Sequence, residues 1–288
     1  LTWAIAIVSA ILVVEGLGAW ISGSLALLAD AGHVLSDLIG LVVALLATVV
    51  AARPATDRQT FGYRRAEVFG ALINGLILLV VALIVTAGAL LRLFSPDSGD
   101  VHGVPMLVVA SVGLIANLGA MFVLRSGASE SINVRGAYLE VVGDVIGAIV
   151  VIVSAIVILT TGFVQADAIA SLLIAALIAP RAVLLLRDVV RVLSEAAPPD
   201  TDVAAIRRHI LGTPGVVAVH DVHVWAITSG SSVFSAHVVV APEVFSTGRA
   251  GAILDDLGDC LSDHFDVAHS TFQLEPAEHV GHEGDVHA

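Results

Sequence analysis

The sequence predicts an all-α six-helix transmembrane bundle followed by a small α/β ferredoxin-like (αββαβ) cytoplasmic domain, and three observations carry that prediction. First, 57% of the 288 residues are hydrophobic, only 14% are charged and the mean hydropathy is +0.97, too apolar a balance for a soluble globular chain. Second, the apolar residues fall into six runs, each long enough for the roughly 20 helical residues that cross about 30 Å of hydrocarbon. Third, after Ala196-Ala197-Pro198-Pro199 the pattern changes to short amphipathic and alternating stretches.

The six runs are Trp3 to Ile21, Leu27 to Val50, Ala66 to Leu91, Val104 to Leu124, Ala137 to Thr161 and Ala168 to Val189. Polar or Gly-rich punctuation such as Ser95 to Asp100 separates them, because a backbone that leaves the helix must do so outside the lipid. Arginine sets the orientation. The second connection carries Arg53, Arg58, Arg64 and Arg65, the fourth Arg125 and Arg135, and Arg187 and Arg191 follow the sixth span. The other connections carry none apart from Arg92 at a helix end, so both termini are read as cytoplasmic in an inner (plasma) membrane. Leu1 already lies in an apolar run, from which an N-terminal extension is expected.

Beyond the linker, Thr201 to Leu211 reads as a capped helix, Val216 to Ile227 and Ser232 to Ala241 as strands, Ala250 to His264 as an amphipathic helix and Ala268 to Leu274 as a third strand. The expected division is a membrane domain over 1–192, a linker over 193–200, a ferredoxin-like metal-binding domain over 201–278 and a disordered tail over 279–288 containing His279, His282 and His287. From Glu195 onward there are 3 Arg against 14 acidic residues, which accounts for −11 of the net charge of −13. Such a module attracts cations and repels nucleic acid, so no nucleic-acid partner is expected. A single cysteine, Cys260, rules out a disulfide framework and a cysteine-based zinc cluster, leaving His and carboxylates as the available metal donors.

Ionisable residues within a span cost about 2.5–3.5 kcal/mol each to insert, so they point to a path or a site. The second span holds His33 and Asp37, and the fifth holds Glu140 and Asp144, each pair spaced i, i+4 and therefore stacked on one helix face. If the two faces meet, one nitrogen and three carboxylates converge, which is the donor count of a tetrahedral zinc site. An intramembrane ion pair would explain one such pair; two in separate spans favour a metal. Asp30 is read as a cap of the second span ahead of a gatherer of cations, Glu67 equally as a partner of Arg64 or Arg65 or as part of the transport path, and Asn74 and Asn117 as interhelical hydrogen-bond partners. Glu15 is a lone acid, and Gly143 and Gly147 allow close packing around Asp144.

Four stretches resemble the cation diffusion facilitators, in their zinc, cobalt and cadmium efflux branch. They are SLALLADAGHVLSD from Ser24 to Asp37, FGYRRAE from Phe61 to Glu67, GAYLEVVGD from Gly136 to Asp144 and VHDVHVW from Val219 to Trp225. The resemblance implies a homodimer in the lipid bilayer that exchanges a divalent metal for protons by alternating access, with His33, Asp37, Glu140 and Asp144 as the transport site. It further implies a cytoplasmic zinc site at a dimer interface, built from His220, His237 and Glu275, with His223 alongside. Where the branch usually has a histidine, this chain has Glu140. Zn2+ stays the first expectation, with Cd2+ a further cargo of the branch, but an anionic oxygen hardens the site and favours Mn2+, Fe2+ or Co2+ relative to a two-His site. The loop from Ala51 to Ala66 offers only Asp57, and no metal site is expected there.

Two other classes are weighed. An intramembrane metalloprotease would carry HExxH on a span, and none does; an ATP-driven pump would carry GxxxxGK[ST], also absent, so no enzyme is expected. A membrane metal sensor would bind metal without net flux.

Overall fold

A computed structural model describes residues 2–51, 55–94, 100–125, 132–228, 230–265, 267 and 269–279. Six long helices come first: α1 (Thr2–Ser22), α2 (Leu25–Ala51), α3 (Arg65–Phe94), α4 (Gly103–Leu124), α5 (Ile132–Thr161) and α6 (Gln165–Leu193). All six are long and apolar enough to cross a membrane. They overrun the apolar runs at several ends because polar residues tolerate a final helical turn. Arg135 consequently lies within α5, not in the fourth connection.

Sequence dictates the helix ends. Gly23, at φ +66°, breaks the chain between α1 and α2. The start of α2 is capped by the Ser24 hydroxyl, which accepts from the Leu27 amide at 3.1 Å, and by Asp167, which accepts from the amides of Leu25 at 2.9 Å and Ala26 at 3.3 Å. Asp30 therefore does not cap α2; it lies inside the helix, because the chain becomes helical at Leu25. Side chains such as Leu27, Val85, Met106, Val151 and Ala182 form the interior of the bundle. Leu83, Ile84, Leu91, Ile115, Phe122 and Val123 lie on its outside, an exposed apolar belt of the kind that contacts lipid.

The remaining elements are α7 (Val203–Leu211), β1 (Val216–Thr228), β2 (Ser231–Val240), α8 (Pro242–Ser246), α9 (Ala250–Phe265) and β3 (His269–Pro276). Asp202 caps α7 by accepting from the Ala205 amide at 2.9 Å. A tight turn containing Gly230, at φ +72°, joins β1 to β2. The sheet order is β1-β2-β3, with β1 and β2 antiparallel and β2 and β3 parallel. Phe234, Ala236, Val238 and Val240 alternate toward Ile206, Ile210, Ile253, Leu257 and Leu261 of the helices. This is the αββαβ ferredoxin-like arrangement, with the short α8 added between β2 and α9.

The chain divides into two compact units, 1–52 with 69–186, and 53–68 with 187–288. Within the second unit, Arg64 Nη1 donates to Ser231 Oγ at 3.0 Å, Arg65 pairs with Glu195 at 3.0 Å and Phe61 meets His269 edge-on. Glu67 is thus not a partner of either neighbouring arginine; it accepts from the Thr228 hydroxyl at 2.8 Å.

Candidate metal centres

In the bundle, the i, i+4 spacing places His33 and Asp37 on one face of α2, and Glu140 and Asp144 on one face of α5. The faces converge. Donor atoms of His33, Asp37 and Glu140 all lie within 4.8 Å of one another. Asp144 Oδ1 is 3.0 Å from His33 Nε2, and Asp37 Oδ2 is 3.8 Å from it. Two donors of a tetrahedral zinc, each about 2.0–2.1 Å from the metal, stand about 3.4 Å apart. The two His33 spacings straddle that value; Asp144 stands beside His33 but outside the three-donor cluster of His33, Asp37 and Glu140.

The four residues line a cavity of about 700 Å³ together with Glu15, Asp30, Asn74, Asn117 and Arg181. His33 is 7% exposed, and its Nδ1 is buried without a hydrogen bond, which leaves Nε2 as the nitrogen aimed at the carboxylates. Asn74, read as an interhelical hydrogen-bond partner, has a buried side-chain oxygen that accepts no hydrogen bond. Glu15 is 4% exposed with Oε2 unpartnered. Sequence reasoning saw Glu15 only as a lone acid and passed over Arg181, although a charged residue inside an apolar run was a visible signal.

In the second unit, His220 and His237 face each other across the β1–β2 ladder, and Glu275 lies on β3 opposite Val239. Their parity is opposite to that of Val219, Val238 and Leu274, so they stand on the sheet face turned away from the helices. His220 Nε2 is 2.7 Å from Glu275 Oε1, His237 Nδ1 is 3.7 Å from the same oxygen, and the three form a donor cluster. Glu275 is 2% exposed, with Oε2 unpartnered. His223 stands apart from this cluster. A bulge between His220 and His223 redirects it, and its Nε2 lies 2.8 Å from Asp221 Oδ1. Asp221, at φ +50°, also approaches His237 at 3.6 Å; no sequence signal marked it, beyond the tolerance of Asp for that conformation. His282 and His287 lie outside the described residues, and the His279 amide donates to the Pro276 carbonyl at 2.9 Å.

Comparison with known proteins bears on the chain as a whole. Residues 1–194 match the model of the cation efflux transmembrane domain, and residues 198–277 that of the cation efflux protein cytoplasmic domain. The chain belongs to the cation efflux family. Its relatives include the metal cation efflux system protein CzcD of Cupriavidus metallidurans, 42% identical over 95% of this chain and 85% of that one. The zinc transporter ZitB of Escherichia coli is 38% identical over 96% and 86%, and the cadmium, cobalt and zinc/H(+)-K(+) antiporter of Bacillus subtilis 37% over 93% and 86%. A solved structure of the metal-bound C-terminal domain of the CzcD transporter is 40% identical, covering 26% of this chain and 99% of that one, with a TM-score of 0.24. As a cation efflux family member, the protein is a multi-pass membrane transporter that moves divalent metal cations, and not an enzyme.

Proposed function

We propose that this protein exports zinc in exchange for protons, by alternating access through a site formed by His33, Asp37, Glu140 and Asp144. The convergence of these four side chains from two spans in one cavity carries the reading. Metal donors must be deprotonated to bind, so loading the ion expels protons and proton entry from the far side expels the ion. Transport then needs two conformations that offer the site to opposite sides in turn. The names of the zinc and zinc/H(+)-K(+) relatives support both cargo and exchange.

The working unit is a homodimer in the inner membrane, each protomer having a membrane domain over 1–192, a linker over 193–200, a cytoplasmic metal-binding domain over 201–278 and a tail over 279–288, with both termini cytoplasmic. The arginine distribution supports the orientation, and a donor cluster on the sheet face turned away from the helices supports metal-assisted pairing of two cytoplasmic domains. His220, His237 and Glu275 would hold a regulatory Zn2+ there.

One observation favours a second cargo. Glu140 supplies a third carboxylate, a harder donor set that suits Mn2+, Fe2+ or Co2+ better than a nitrogen-rich one, with Cd2+ a softer alternative. The test is flux into sealed vesicles with a metal-sensitive dye inside and an imposed pH gradient, comparing these ions for wild type and Asp144→Ala. Gradient-dependent zinc flux lost in the variant is expected; metal that binds without moving would point to a sensor instead.

A further inference from the structure

Arg181 lies mid-way along α6, directly after Pro180, and its side chain lines the same cavity as the four donors. Its Nη1 is 3.2 Å from His33 Nε2. That nitrogen is also 3.0 Å from Asp144, so it either donates to the carboxylate or accepts from the guanidinium, but cannot do both. With Nδ1 buried, the lone pair that Arg181 addresses is the one a metal would take.

The charges point the same way. A neutral imidazole with three carboxylates carries −3, one more negative charge than a divalent ion neutralises. A guanidinium stays charged in proteins, and in contact with this set it brings the sum to −2. Loading a divalent ion then yields a neutral site, the state least costly to carry through a low-dielectric bundle. Glu15 and Asp30 also line the cavity but stand outside the two i, i+4 pairs that supply the donors. The fifth helix makes room for the arrangement: a Cβ at Gly143 would stand 2.8 Å from Arg181 Nη2.

We propose that Arg181 is a built-in counter-cation of the transport site, offsetting the charge of Glu140 and competing with the metal for His33 so that the bound ion can be released. The inference rests on the four-donor reading of the site. Arg181 acts through the donors and is a positioning residue, not a ligand.

The test is zinc flux by the full chain in sealed vesicles, read as separate KM and maximal rate. Without the competing charge, Arg181→Gln is expected to lower KM by about tenfold or more and to slow turnover, because the ion is held too tightly. Arg181→Lys, which keeps a charge, should stay near wild type. Glu140→His alone should raise KM, and Glu140→His with Arg181→Gln should return both parameters toward wild type, a coupling that simple loss of structure does not produce. Gly143→Ala presses only on the flexible end of Arg181 and should shift KM in the direction of Arg181→Gln. An unchanged KM in Arg181→Gln, or effects of Glu140→His and Arg181→Gln that merely add, overturns the inference. Asp144→Asn separates the two levels. If it transports normally, the four-donor site is wrong; if it is inactive while Arg181→Gln behaves as wild type, only the role of Arg181 is wrong.

Discussion

Asp167 at the start of α6 is wholly buried, and its Oδ2 lies 3.1 Å from Nη1 of Arg92 at the end of α3. The same carboxylate accepts from the Ser24 hydroxyl at 2.5 Å and from two amides at the start of α2, while Arg92 also donates to the Gly23 carbonyl at 2.8 Å. One charge therefore ties three helix ends together and fixes where α2 begins. His33 follows eight positions after Leu25, about 12 Å along the helix axis, so this knot sets its depth.

Removing Asp167 strands a part-buried guanidinium and uncaps α2. Asp167→Ala is expected to lower stability by about 3–5 kcal/mol, the cost of breaking a buried pair from one side. Arg65→Ala, which breaks the exposed pair with Glu195, should cost no more than about 1 kcal/mol. Unfolding of the detergent-solubilised variants, followed side by side, checks the contrast. Equal losses would mean that Asp167 does not hold the helix ends.

A methyl group at Gly32 would collide with the Val81 side chain of α3, one residue from His33. Gly32→Ala is expected to cost about 1–3 kcal/mol through overpacking, and to reduce metal flux by tilting the α2 face. At Gly119 in α4 nothing lies within 4 Å of an added Cβ, and there the same change should stabilise by about 0.5–1 kcal/mol by favouring helix. Thermal unfolding and vesicle flux of both variants decide the matter; wild-type flux in Gly32→Ala would show that α2 accommodates the methyl without moving His33.

The balance of donors predicts selectivity. Replacing the Glu140 oxygen by a nitrogen softens the site, so Glu140→His is expected to raise the zinc-to-manganese flux ratio by about tenfold or more. Because its absolute rates also respond to Arg181, the ratio of the two metals within one preparation is the quantity to measure. A ratio that does not move would relieve Glu140 of any part in selectivity.

What the sequence disclosed, and what it hid, follows from the range of the interactions. Six apolar runs and two i, i+4 pairs are local patterns, and α2 and α5 bring His33 beside Asp144 as those patterns anticipate. The strand parity of β2 separates His237 from the core in the same local way. Asp167 and Arg92 lie 75 positions apart, and neither carries a mark in its own neighbourhood of where the other will fall. Asp30 was misread because the cap belongs to residues outside α2 as well as to Ser24, and His223 because a bulge at Asp221 interrupts the alternation on which its placement depended.

The cytoplasmic cluster makes the last prediction. Glu275 is almost fully buried and has one unpartnered oxygen, a costly arrangement that a cation bound between it, His220 and His237 would relieve. A ligand that binds only the folded form stabilises it, by about 2.7 kcal/mol at a hundred times its Kd. In full-length protein carrying Asp37→Ala to disable the transport site, zinc should therefore raise the unfolding temperature and a chelator should reverse the shift. His237→Ala and Glu275→Gln should abolish this response, whereas His223→Ala should retain it, since His223 stands on Asp221 outside the cluster. Acidification should erode the response, because a protonated imidazole cannot ligate. A zinc-dependent shift that survives both His237→Ala and Glu275→Gln would place the metal elsewhere and leave the buried carboxylate of Glu275 to be explained by its contacts with His220 and His237.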